Sequence, residues 1–367
     1  MIERFRLRNF KSHRDTELAL GRFTMLVGDN ASGKTSVLDA LALQASLGDN
    51  PVPVLQGAWS PEDLLRRGSN EPIAFRAEGV QSGRPWRTDL QLEVKPAELN
   101  QGKQERGWEL RAAGSDGTEF VANALGLGGG GTNHGGWHRF TSTVGAATSF
   151  RLRADRVAEA AYSDDPDVLV GTDGTNTAVA LAAMKLGDDE VFQRVEDAMR
   201  HLVPSMQRIR IRPATVHRLS GGDVVGSKLY FDFQGAPSVP AHCASHGTLI
   251  LLALLTILHG ANPPNVVLLD DFDHALHPRA QMELVRLIKR LLVLDEFRNM
   301  QVVTTTHSPY ALDELEPSDV YAFALRDDGT AACKRLSEHP EAAQTRGTLK
   351  AGQLWSLDPE RDWVLQG

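Results

Sequence analysis

From Gly28 to Thr35 the chain reads Gly-Asp-Asn-Ala-Ser-Gly-Lys-Thr, which is the spacing G-x-x-x-x-G-K-[ST]. These residue types suit the holding of a phosphate chain. Gly28 and Gly33 let the backbone curl so that N–H groups at Asn30, Ser32 and their neighbours face phosphate oxygens. A helix starting near Lys34 adds its positive end. Lys34 would reach the β- and γ-phosphates, and the Thr35 hydroxyl would ligate Mg²⁺, so the loop implies ATP and Mg²⁺ as ligands. The bland alternative is an ordinary glycine turn into a helix.

A second pattern is Val266-Val267-Leu268-Leu269-Asp270-Asp271. Four apolar residues read as a buried strand, and an acid at its end would project into the crevice where parallel sheets bind nucleotides. Asp270 would share Mg²⁺ with Thr35, and Asp271 is the candidate general base for an attacking water. Alone, either acid is equally well read as a turn cap. A third pattern is His307 within Thr304-Thr305-Thr306-His307-Ser308-Pro309. It directly follows the strand-like Met300–Thr304 and is placed to contact a γ-phosphate; a lone histidine is otherwise commonly structural.

Elements that would carry these groups are legible in the periodicity. Ile2, Phe5, Leu7 and Phe10 suggest a half-buried strand, and Phe23–Val27 a buried one that stops at Gly28. Val37, Leu38, Ala40, Leu41 and Leu43 then fall at helical spacings. A short helix is expected near Pro61–Arg67, antiparallel strands over 73–95, a helical stretch over 175–203 ended by Pro204, and strands with a hairpin over 207–234. From 247 onward the order is helix (Thr248–Leu258), strand (Val266–Leu269), helix (Arg279–Leu292), strand (Met300–Thr304), short helix (Tyr310–Leu315), strand (Val320–Ala324). That alternation implies an α/β fold with a largely parallel core sheet. Residues 126–136 hold seven glycines in eleven positions and read as a loop. His134 and His138, with Trp137 beside them, lack the further ligands a metal site needs.

A net charge of −8 excludes a broadly basic surface, so any nucleic acid contact must be local. Arg208, Arg210 and Arg212 alternate on one strand face, and Arg151, Arg153 and Arg156 form a second cluster; either is a candidate DNA contact, with internal salt bridges as the alternative. Cys243 and Cys333 are the only cysteines and make no disulfide framework. The longest mainly apolar stretch, Leu249–Leu258, falls far short of the ~20 residues of a membrane span. A cytoplasmic protein without a membrane partner is expected.

Taken with the opening Leu7-Arg8-Asn9-Phe10-Lys11-Ser12-His13, these segments resemble the ATP-binding-cassette (ABC) ATPases of the SMC/RecF/OLD (overcoming lysogenization defect) group. Asp270-Asp271-Phe272-Asp273-His274-Ala275-Leu276-His277-Pro278 resembles the OLD-like Walker B segment and D-loop, and Thr306-His307-Ser308-Pro309 its switch-histidine segment. The resemblance implies an ABC-type ATPase head with an antiparallel β subdomain and a helical insertion. It divides the chain into an N-terminal ATPase lobe (1–95), an insertion with a helical region (96–205) and a C-terminal lobe (206–367). It implies nucleotide contacts at Lys11, Ser12 and Ser36 besides the loop, and catalytic roles for Lys34, Asp271 and His307. Asp271 stands where the family usually has Glu, one methylene longer, which points to slow hydrolysis or an ATP-gated clamp.

The group also carries a signature motif that faces the partner's nucleotide in its dimers. Leu219-Ser220-Gly221-Gly222-Asp223 has the transporter form, but the strand-like Tyr230–Phe233 downstream makes it a hairpin turn. Ser245 and Gly247 open an apolar helix leading into the Walker B strand and match the Ser-x-Gly-Thr of OLD-like members, so they are the preferred candidates. A homodimer and a separate effector protein are implied, with DNA-linked or anti-phage work as the setting. No nuclease is expected after His307, where the acids are scattered. The rivals are a transporter's ATPase subunit, a small-molecule P-loop kinase and a non-hydrolysing ATP-sensing scaffold.

Overall fold

The computed structural model describes residues 1–46, 61–81, 83–98, 104–114, 119–124, 147–165, 167–218, 221–260, 263–273, 276–345 and 348–366. The glycine-rich 126–136 segment, His134, Trp137, His138, Leu219, Ser220, His274 and Ala275 lie outside the described residues. The chain divides into two compact units, one of residues 1–149, 264–270 and 291–367, the other of 150–263 and 271–290.

The first unit holds two sheets. One is antiparallel and six-stranded, in the order β2-β1-β4-β5-β6-β7, from β1 (Ile2–Phe10), β2 (His13–Ala19), β4 (Ile73–Gln81), β5 (Arg84–Glu98), β6 (Gln104–Gly114) and β7 (Glu119–Ala124). Alternation sets its faces: Phe5, Leu7, Phe75, Leu90 and Leu92 are buried, while Arg4, Arg8, Arg76 and Arg87 are exposed. The other sheet has the order β15-β14-β3-β13-β12-β8, from β3 (Phe23–Gly28), β8 (Ala147–Phe150), β12 (Val266–Leu269), β13 (Gln301–Thr305), β14 (Val320–Leu325) and β15 (Ala331–Arg335). Strands β12, β13, β3 and β14 run parallel, and β15 is antiparallel at the edge. Helix α1 (Lys34–Ser46) shares one apolar core with both sheets. That explains its weak amphipathicity: Val37, Leu38, Ala40, Leu41 and Leu43 are buried all round it. The buried Gln301 amide ties the layers, donating to the Ile2 carbonyl (2.8 Å) and the Gly21 carbonyl (2.7 Å).

The second unit contains helices α2 (Thr177–Gly187), α3 (Asp189–Leu202) and α4 (His246–Leu258), and an antiparallel sheet β11-β10-β9 from β9 (Met206–His217), β10 (Asp223–Phe233) and β11 (Ala236–Pro240). Helix α5 (Pro278–Val293) begins in it. The single helical stretch expected over 175–203 is two helices. Asp188 is extended (φ −148°, ψ 91°), and its carboxylate accepts from the N–H groups of Glu190 (3.1 Å) and Val191 (3.2 Å), which starts α3 anew. The expected boundary at 95/96 falls inside β5, and β6 and β7 lie within the expected insertion and helical region (96–205), so the units cut across the three lobes read from the sequence. Among the described residues no helix is long and apolar enough to cross a membrane.

Candidate nucleotide site

Strand β13 lies between β3 and β12, so the loop after β3, Asp270 after β12 and His307 after β13 all follow the carboxyl ends of adjacent parallel strands. The loop is held in a shape that only glycine allows at two points. Gly28 has φ +134°, and a Cβ there would stand 2.2 Å from the Phe323 carbonyl oxygen of β14; Gly33 has φ +106°, and a Cβ would stand 2.8 Å from His13 Nε2. Ala31, at φ 63°, completes the curl.

Side chains on the loop fit a nucleotide phosphate group. The Lys34 ammonium donates to the Gly28 and Asp29 carbonyls, both at 2.8 Å, and so lies across the loop. The Ser32 hydroxyl is buried and has no hydrogen-bond partner among the described residues, an orphan donor of the kind a phosphate oxygen would satisfy. Asn30 is exposed on the rim, and Ser36 lies half-buried in the first turn of α1. Thr35 Oγ1 donates to Asp270 Oδ1 at 3.0 Å, across 235 positions of sequence. Thr305 Oγ1 donates to the same oxygen at 2.8 Å, and Thr304 Oγ1 to the Leu269 carbonyl at 2.9 Å. A carboxylate with a hydroxyl beside it at a strand end is an oxygen donor set suited to Mg²⁺, so Thr35 and Asp270 fit the metal.

Several expected contacts have more particular settings than the motif conveys. The Lys11 ammonium is paired with Asp39 of α1 at 2.6 Å, and Lys11 itself is at φ 49°. The Ser12 carbonyl accepts from Ala331 N–H (2.8 Å), which fastens β15 to this turn. His307 is exposed, following the buried Thr306, whose N–H bonds the Leu26 carbonyl of β3 at 3.1 Å. Lys11, Ser12, the loop, Asp270 and His307 thus belong to the first unit, whereas Asp271, Ser245 and Gly247 belong to the second.

In the second unit Ser245 is the N-cap of α4, its Oγ accepting from Thr248 N–H at 3.2 Å, and Gly247 is buried in the first turn. The other signature candidate has a different setting: Gly221 (φ +90°) and Gly222 (φ +89°) form the turn between β9 and β10, closed by Arg218 N–H to the Gly222 carbonyl at 3.0 Å. Asp271 is exposed with φ 49°. That left-handed conformation is more accessible to Asp than to longer side chains, a physical reason for Asp where Glu is usual in the group.

The arginine clusters are largely compensated within the chain. Arg210 donates to Asp232 at 2.7 Å, Arg212 donates to Ser238 at 2.8 Å and stacks on Tyr230, and Arg208 stands opposite Asp232 in the ladder. Arg153 pairs with Asp155 and Arg156 with Glu159. Charges so engaged are poor anchors for a nucleic acid backbone.

Two residues at the site carry no role in the sequence reading. Thr305 sits in the Thr304–Thr306 run, where strand pairing alone determines which hydroxyl meets Asp270. His13 is fully buried: Nε2 lies 3.0 Å from the Gly33 carbonyl and Nδ1 2.9 Å from Thr16 Oγ1. Burial, aided by Lys11, lowers its pKa from 6.5 to about 4, against the opposing pull of the Gly33 carbonyl. The unfolded chain therefore takes up this proton first. Stability is intact above pH 6.5 and falls as the pH drops toward 4, by at most ~1.4 kcal/mol per pH unit for this one group. Urea unfolding between pH 7 and 4.5 should show a shallower acid loss for His13→Gln than for the wild type.

Residues 23–313 match the family described as "AAA domain, putative AbiEii toxin, Type IV TA system". Over 134 residues the chain is 22% identical to the retron Ec83 probable ATPase of Escherichia coli, covering 36% of this chain and 24% of that protein. It is 32% identical over 112 residues to the DNA replication and repair protein RecF of Arthrobacter sp. (strain FB24), covering 30% of this chain and 26% of RecF. The DNA double-strand break repair Rad50 ATPase of Thermoplasma volcanium is 29% identical over 115 residues, 28% of this chain and 12% of Rad50. These matches span about a quarter or less of the curated relatives' own lengths. The Smc head solved with the C-winged helix domain of ScpA aligns over 91% of this chain and 97% of its own at 16% identity and a TM-score of 0.52, which shows a shared fold. The Smc head of Pyrococcus furiosus with an extended coiled coil gives the same TM-score at 15% identity, over 94% of this chain and 98% of its own. Because the family model spans most of its length, the chain belongs to this AAA-domain family, among the ABC-type ATPases of the SMC/RecF kind.

Proposed function

We propose that this chain binds Mg–ATP in the loop from Gly28 to Ser36 and hydrolyses it slowly, and that two copies close on the nucleotide to regulate a separate effector in DNA-linked or anti-phage work. The observation that carries the reading is the cluster in which the half-buried Thr35 and the buried Thr305 both donate to Asp270 beside the loop. Bound there, Mg²⁺ would neutralise phosphate charge and orient the terminal phosphate. Lys34 would leave the loop carbonyls for the β- and γ-phosphates, and the Ser32 hydroxyl would gain an acceptor. His307 would meet the γ-phosphate. Asp271 would take the proton of the attacking water.

Ser245 and Gly247 are the residues we assign to the signature role. They start a 13-residue helix whose first N–H groups lack intrahelical acceptors, a place for the partner copy's γ-phosphate. The Gly221-Gly222 hairpin turn offers no helix start, which argues against the transporter-type alternative. Names of the relatives, a retron ATPase and RecF, motivate the defence and DNA settings. The test is sizing chromatography of Asp271→Asn, which should retain ATP without turning it over. A shift from monomer to dimer on adding Mg–ATP is expected; a monomer in both conditions contradicts closure on nucleotide.

A further inference from the structure

His13 is a buried side chain that the phosphate chemistry does not call for, yet both its ring nitrogens are engaged. A carbonyl oxygen can only accept, so the atom facing Gly33 must be Nε2–H. Nδ1 is then the acceptor, and the Thr16 hydroxyl donates to it. The chain thereby fixes the tautomer. A pKa near 4 keeps the ring neutral, so this single arrangement holds throughout the neutral range.

The Gly33 carbonyl also accepts the first helical bond of α1, from Val37 N–H at 3.2 Å, so His13 supplies a second donor to the same oxygen. In a trans peptide the carbonyl and the next N–H point in opposite directions. Pinning the Gly33 carbonyl therefore aims the Lys34 N–H, one of the amides that would face phosphate, away from His13 and toward the concave side of the loop. The contact leaves no slack: a Cβ at Gly33 would meet His13 Nε2 at 2.8 Å, Ser12 Oγ at 3.0 Å and Ala331 Cβ at 3.0 Å.

We infer that His13 is a positioning residue of the nucleotide site, setting the Gly33–Lys34 peptide plane through its Nε2–H donated to the Gly33 carbonyl and thereby the affinity for the phosphate chain. This rests on the reading of the loop as an ATP site. It concerns a residue that would not itself touch nucleotide.

Two amides separate the donor from mere bulk. The Gln amide nitrogen reaches the position of Nε2, whereas the Asn amide nitrogen reaches only that of Nδ1. Wild type, His13→Gln and His13→Asn are titrated with mant-ATP and Mg²⁺, and each is melted without nucleotide. His13→Gln should bind within about threefold of the wild type. His13→Asn should bind roughly tenfold more weakly although the two variants melt alike, as the loss of one buried hydrogen bond predicts. Equal affinity of the two variants, or losses that follow melting temperature alone, overturns the inference. Should neither variant fold, Thr16→Val decides: loss of the tautomer-fixing donor should weaken mant-ATP binding several-fold, and unchanged affinity overturns the inference. A wild type that does not bind mant-ATP refutes the ATP-site reading itself, a result separable from any difference among variants.

Discussion

Lys34→Ala should lower the affinity for Mg–ATP by on the order of 10²–10³-fold and abolish any phosphate release. The ammonium is poised over the loop, 5% exposed, with its donors on the Gly28 and Asp29 carbonyls. Transfer to the β- and γ-phosphates exchanges two neutral acceptors for charged ones. Hydrogen bonds between charged groups contribute about 1.5–3 kcal/mol each, so two of them account for that loss. Isothermal titration with ATP reads the affinity, and melting without nucleotide checks that the fold persists. An affinity within threefold of the wild type would place the phosphates elsewhere.

Asp270→Asn should leave a folded protein whose ATP hydrolysis falls by roughly 10²–10³-fold, about 2.7–4 kcal/mol of transition-state stabilisation. The amide oxygen can still accept from Thr35 and Thr305, so the β12–β13 end keeps its hydrogen bonds while losing the negative charge that would hold Mg²⁺. The diagnostic feature is metal dependence. Nucleotide affinity in the variant should no longer rise when Mg²⁺ is added, whereas Lys34→Ala lowers affinity with or without metal. Steady-state phosphate release and titrations in Mg²⁺ and in EDTA distinguish the two. An Asp270→Asn protein with full Mg²⁺ enhancement would remove Asp270 from the metal site.

The parallel core was readable because buried parallel strands are continuous apolar runs: Phe23–Val27 and Val266–Leu269 match β3 and β12 closely, and the helix after the loop begins at Lys34 as its spacing implies. The antiparallel sheet was only half visible. Strand β2 alternates from a buried histidine through Thr16 and Leu18, with charged residues between, and His13 and Thr16 disguise the buried face as polar. Strands β6 and β7 lie in the 96–205 stretch that the resemblance set apart as an insertion with a helical region. At the candidate site, the meeting of Thr35 with Asp270 was legible because a hydroxyl and an acid expected to share one metal must come together. Thr305 was not, since only the register Thr304 to Met25 and Thr305 to Leu26 decides which of three consecutive threonines faces Asp270. His13 was quoted within a recognisable segment, but its contact with Gly33 depends on how the β1–β2 turn packs against the loop. The arginine clusters could be read either as a DNA contact or as internal salt bridges for a related reason: strand pairing brings Asp232 opposite Arg208 and beside Arg210, which no local spacing reveals.

The most direct measurement is equilibrium binding of ATP to the purified wild-type chain, titrated once with excess Mg²⁺ and once with EDTA. A loop that cradles the phosphates and a metal shared by Thr35 and Asp270 predict saturable binding at one site per chain, tightened by at least tenfold when the metal is present. Absence of saturable binding in both titrations, or equal affinity in the two, would contradict the account.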